Sequence, residues 1–171
     1  MYGLPSENVE YIIHEGANLI SYPYESVQSI EDALPDEIHQ DIWAIFGQGV
    51  SAMNINGNWM GSLNSFEGGA GYWIIATTNF VFEYNQPDGG ALAVASTVTS
   101  SSEELDYYQS IAQSFYFVKD LELSSTDIEI GDWIVAYNGD IVVGSRMWNG
   151  EYTDIPVMGS DVTDDNTFGY C

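Results

Sequence analysis

Positive charge is almost missing from this chain: Lys119 and Arg146 stand alone against 26 Asp and Glu, a formal net charge of −24 over 171 residues. Phosphate backbones and anionic headgroups are held by neutralising Lys and Arg, so neither nucleic-acid binding nor attachment to an anionic membrane surface is expected. Cysteine is nearly missing too. Cys171, the last residue, is the only one, which excludes an internal disulfide and a thiolate metal cluster. No run reaches the roughly 18 apolar residues of a spanning helix, so membrane insertion is not expected. Residues 1–20 carry no basic segment followed by a long apolar run, so no signal peptide is expected there.

Catalytic parts are scarce as well. His14 and His39 are the only histidines, and no HExxH, GxSxG or base-flanked cysteine occurs. The glycine-dense EGGAGYW at 67–73 leads into no strand-to-helix step and no lysine, so it is not a phosphate loop. Acid pairs at a glycosidase separation arise by chance among so many carboxylates and point to nothing. The residues therefore favour a protein without catalytic or cofactor-binding residues, with a glycoside-active enzyme as the weakest alternative.

What is present is β-rich. Hydrophobic residues make up 45% of the chain, enough for one good core or two small ones. Ten segments read as strands: 9–15, 17–23, 42–47, 50–55, 72–78, 80–85, 114–123, 128–137, 140–148 and 153–158. Each is rich in aromatic and β-branched residues and bounded by Gly, Asn, Pro or Asp. The expectation is an all-β fold of two small antiparallel sandwich-like modules. They span 1–86 and 106–171, with a small-residue, serine-rich linker at 87–105. The one helical stretch is 26–34, with Ser26 as N-cap, Val27, Ile30 and Leu34 on one face and Pro35 as the stop.

Asn-Gly pairs mark hairpins, because a two-residue type I′ loop needs positive φ at both positions. Asn56-Gly57 places Trp59 opposite Asn54. Asn138-Gly139 as the loop places Trp133 opposite Gly144, an indole covering bare backbone. Asn149-Gly150 adds a third strand and sets Arg146 beside Thr153, within reach of Asp154 and Glu151. A lone Arg in so acidic a sheet reads as a salt-bridge partner. The echo of NGNWMGS (56–62) in NGDIVVGS (138–145) suggests a duplication, although hairpin chemistry alone can produce it.

Two ligand readings follow. Trp59 and Trp148 lie beside turns, where exposed indoles could stack on sugar rings, against the commoner fate of burial in a core. Asp161, Asp164, Asp165 and Asn166 crowd oxygen ligands into one loop suited to weak Ca²⁺ binding, against the simpler reading of a solvated acidic turn.

Three segments, GANLISYPYES (16–26), IWAIFGQGVSAMNINGNWMGSL (42–63) and GGAGYWIIAT (68–77), resemble a module repeated in secreted and cell-surface proteins of marine bacteria. They also resemble segments of large structural proteins of cyanophage particles. SFYFVKDLEL (114–123), IGDWIVAYNGDIVVGSRMW (130–148) and IPVMGSDVTDDNTFGY (155–170) are similar to the module that accompanies it. The resemblance implies structural or adhesive roles, no established active residues, and further strands after Tyr170. Together the readings give a structural or interaction protein of an extracellular assembly: a virion decoration or fibre component, or a surface-filament subunit. Its expected partners are further copies of itself or other subunits of the same assembly. A carbohydrate-binding module is the rival. Strand addition by residues 1–14 of one subunit to the open sheet of the next is the expected contact.

Overall fold

The computed structural model of the protein describes residues 9–87, 105–123 and 127–171. The strand-rich, antiparallel, all-β character expected from the sequence is what forms. The chain divides into two compact units, one of Met1–Gly47 with Ser51–Ser96 and one of Gln48–Val50 with Thr97–Cys171. Apart from its two ends, the linker expected at 87–105 lies outside the described residues.

Among the described residues the first unit holds nine strands: β1 (Glu10–Ile13), β2 (Gly16–Ser21), β3 (Gln28–Ser29), β4 (Ile42–Phe46), β5 (Ser51–Ile55), β6 (Asn58–Gly61), β7 (Ser65–Phe66), β8 (Gly71–Ala76) and β9 (Phe80–Glu83). Five of them form one sheet in the order β2-β8-β4-β5-β6; β1 pairs with β9, and β3 with β7. Period-two alternation sets the faces. Ile20, Tyr72, Ile74 and Ile45 turn inward and are buried with Ile13, Leu34, Phe66 and Phe82. An aromatic cluster knits the interior: Tyr22 stacks on Phe66 at 5.7 Å, and Tyr84 meets Phe66, Phe82, Tyr22 and Tyr11 edge-on at 5.0–5.4 Å.

The helix is shorter than expected. It runs Ile30–Ala33, with Ser29, not Ser26, as N-cap through its hydroxyl accepting from the Asp32 N–H at 3.0 Å. Gln28 and Ser29 are held in β3 by pairing with Phe66 and Ser65, so the helix starts only after them. A 3₁₀ segment, Asp36–Asp41, follows. The pairing of β1 is also a correction. Its residues 10–13 pair with β9 of the same chain and Ile13 is in the core, so this stretch is not a free donor strand. Residues 1–8 of that proposed donor lie outside the described residues.

The second unit holds β10 (Gln113–Val118), β11 (Trp133–Asn138), β12 (Ile141–Met147) and β13 (Thr153–Met158). β10 pairs with β13 and β11 with β12, around a small core of Val143, Met158 and Tyr170. The β11–β12 register departs from expectation. Asn138 pairs with Ile141, so the loop is Gly139-Asp140. Of these only Gly139 has positive φ, at 63°, the pattern of a type II′ turn. Asn138 keeps negative φ and donates its side-chain N–H to the Gly169 carbonyl at 3.0 Å. A bulge then skips Val143, which is buried in the core. Trp133 consequently faces Met147 and Gly144 faces Ala136. The glycine's role is different from backbone cover: a Cβ at Gly144 would land on the Pro156 carbonyl oxygen of β13. Nor do Asn149 and Gly150 form a two-residue loop. The turn is wider, with positive φ at Gly150 and Tyr152 and the Thr153 hydroxyl donating to the Gly150 carbonyl at 2.7 Å. Asn56-Gly57 does adopt the expected loop, with φ of 53° and 89°, and Trp59 lies opposite Asn54.

Candidate functional site

Two features stand out on the surface of the first unit. The first is a face of β2 and β8. Ser21-Gly71, Leu19-Trp73 and Ala17-Ile75 are successive same-face cross-strand pairs, and none carries a charge. Leu19 is 63% exposed and Trp73 47%. The inward set Ile20, Tyr72 and Ile74 fixes these side chains on the opposite face, because a pleated strand offers no third direction.

The second is an open cleft of about 470 Å³ lined by Trp43, Gln40, Asn54, Asn56, Gly57 and Thr77, with Ile42 beside them. A bulge between Ile42 and Ala44 removes Trp43 from the β4–β8 register and leaves it 50% exposed. The walls are tied by hydrogen bonds. The Asn54 side chain accepts from the Gly57 N–H at 2.8 Å and donates to the His39 carbonyl at 2.8 Å. The Thr77 N–H and hydroxyl both donate to the Asp41 carbonyl, at 2.8 and 3.1 Å. Among the described residues no acidic one lines this cleft. A cleft of about 420 Å³ in the second unit is lined by Leu121, Leu123, Ile128, Trp133 and Val135, with Asp132 among its lining residues.

The indoles singled out by sequence are not the exposed ones. Trp148 is 8% exposed and belongs to the interior. Trp59 is half-buried, meets the His39 ring edge-on at 5.8 Å, and has a buried indole N–H without a partner among the described residues. The exposed pair is Trp43 and Trp73. Trp73 was legible from the alternation Tyr72-Ile74-Ala76, which leaves it outward; Trp43 was not, since the bulge that exposes it has no sequence mark.

The acidic loop is organised for its own backbone. The Asp161 carboxylate accepts from the Thr163 N–H and hydroxyl at 2.8 and 2.7 Å, and these bonds hold its pKa below the ordinary value. Asp164 accepts from the Asn166 backbone and side-chain N–H groups at 3.0 and 2.8 Å, capping the short 3₁₀ turn Asp165–Thr167. Buried Thr167 closes the loop onto the Asp161 and Asp164 carbonyls. Among the described residues no three His, Cys, Asp or Glu side chains gather as a metal site.

Arg146 takes the expected role. Its guanidinium lies 3.4 Å from the carboxylate of Asp154, which is 1% exposed, and donates to the Asp154 carbonyl at 3.0 Å and the Gly49 carbonyl at 2.7 Å. A buried carboxylate is tolerable when paired and hydrogen-bonded in this way. Elsewhere burial pushes phenols up: Tyr84 most, helped by Tyr11, Tyr72 and Tyr22, with Tyr72, Tyr22, Tyr24 and Tyr107 in the same direction.

Compared with models of protein families, with curated proteins and with solved structures, the chain matches none. Among the described residues no helix is long and apolar enough to cross a membrane.

Proposed function

We propose that the protein is a non-enzymatic structural subunit of an extracellular assembly, a virion decoration or fibre component or a surface-filament subunit. Its association is with further copies of itself, through the uncharged face of β2 and β8. The observation that carries this reading is the run of three neutral cross-strand pairs with Leu19 and Trp73 at its centre. Copies bearing −24 each repel one another over most of their surface. They can approach where the charge is absent and apolar area leaves water on contact. The same charge disfavours nucleic acid and anionic lipid as occupants of the face. A two-fold contact would set each copy's Trp73 against the other's Leu19, burying both.

The test is sedimentation of wild type beside Leu19→Asp and Trp73→Asp, with circular dichroism as the folding control. Wild type is expected to associate, and either variant to stay folded and shift to the monomer, because the new carboxylates would be buried unpaired in the contact. Variants that associate as wild type does would overturn this face as the contact.

A further inference from the structure

We propose that the Trp43 cleft is a subsite for a neutral saccharide, with the sugar ring stacked on Trp43 and its hydroxyls held by the side-chain amides of Gln40 and Asn56. This stands apart from self-association through β2 and β8 and uses different residues.

Four observations converge. Trp43 is half exposed at 50% because a bulge takes it out of the sheet's pairing, and bulges re-aim side chains next to binding sites. Its neighbours are amides and a hydroxyl, groups that donate and accept in the way vicinal sugar hydroxyls require. The cleft is organised before a ligand arrives. Asn54 ties the β5–β6 turn to the 3₁₀ segment, and Thr77 ties the end of β8 to Asp41. Against those fixed walls, the Gln40 and Asn56 amides make no hydrogen bond among the described residues and remain available. Preorganised walls with a few unspent polar groups are what a small-ligand cleft needs, and its volume lies within the roughly 300–1,000 Å³ of such sites.

The fourth observation selects the ligand's charge. In a chain with 26 acids, none among the described residues lines the cleft, while the surrounding field repels anions. A nucleotide or an anionic sugar would stack as well on an indole, but its charge would be opposed. A neutral ring with one C–H face and a rim of hydroxyls meets both the indole and the amides.

Isothermal titration and indole NMR shifts of the full chain with laminarin, xylan and agarose oligosaccharides, and with alginate as the anionic comparator, test the proposal. Binding to at least one neutral oligosaccharide is expected, with only the Trp43 indole among the exposed tryptophans shifting. Trp43→Ala should weaken it by about tenfold or more. Gln40→Ala and Asn56→Gly, the latter chosen because glycine tolerates the turn's positive φ, should weaken it by about three- to tenfold. Trp73→Ala, on the self-association face, should leave it unchanged. Failure of every neutral oligosaccharide at millimolar concentration would overturn the site. So would undiminished binding by Trp43→Ala, or alginate binding as tightly as the neutral sugars. None of these outcomes touches the sedimentation result, so the two readings fail separately.

Discussion

Tyr84 shows what a single side chain can store. Its ring is edge-on to Phe66, Phe82, Tyr22 and Tyr11, and its buried hydroxyl has no hydrogen-bond partner among the described residues. Burial therefore raises its pKa, and Tyr22 and Tyr72 beside it are raised as well. A phenol neutral when folded and ionised near pH 10 when unfolded contributes stability that is fully present below pH 10 and lost as pH rises beyond it. Tyrosinate absorbance from this cluster should thus appear together with loss of structure, as one cooperative alkaline step. Early ionisation of all tyrosines near pH 10 in a still-folded protein would contradict the burial. Tyr84→Phe removes an unpaired buried hydroxyl and keeps the ring, so thermal unfolding at neutral pH should show a gain of about 1 kcal/mol and a higher alkaline midpoint. A loss of stability would mean the hydroxyl is bonded.

At the level of elements, all ten strands read from aromatic and β-branched runs exist, because a half-buried pleated surface leaves its alternation in the sequence. The short β3, β6 and β7 left too little alternation to read as strands. Turn geometry was half legible. Asn56-Gly57 forms the two-residue loop that its pair favours, whereas Asn138-Gly139 yields to the bulge that puts Val143 in the core and to Asn138's bond to Gly169. Tertiary demands decided that register, and a local dipeptide cannot report them. The difference is measurable. Gly139→Val forces a β-branched residue to φ near 63° and should cost about 1–3 kcal/mol. Asn138→Ala loses one exposed hydrogen bond and should cost about 1 kcal/mol or less. A cost well above ~1 kcal/mol for Asn138→Ala in denaturant unfolding would contradict the negative φ of Asn138, and with it the Gly139-Asp140 loop. The bulge at Trp43 is the same lesson at the candidate site: Trp59 and Trp148 stand beside sequence-visible turns, yet the indole that lines the cleft is exposed by an irregularity.

Across the whole molecule, charge is the governing quantity. Repulsion acts even inside one ribbon, where Glu10 and Glu83 face each other directly across β1 and β9. Screening relieves it, so the melting temperature should climb with NaCl up to molar concentration, where the Debye length is about 3 Å. Asp161 and Asp164 spend carboxylate oxygens on their own loop, so Ca²⁺ and Mg²⁺ at matched ionic strength should raise it equally. A steeper response to Ca²⁺ would restore the loop as a site. The same screening bears on the proposed association: if copies meet through the neutral face of β2 and β8, they can do so only as the field around it is damped. The most direct measurement is the weight-average mass of the wild-type protein by sedimentation equilibrium, followed across protein concentration from low salt to molar NaCl. The expected result is a mass that rises above the 18.9 kDa of one chain and rises further with salt. A mass that stays at one chain at every concentration and salt would contradict the assembly account.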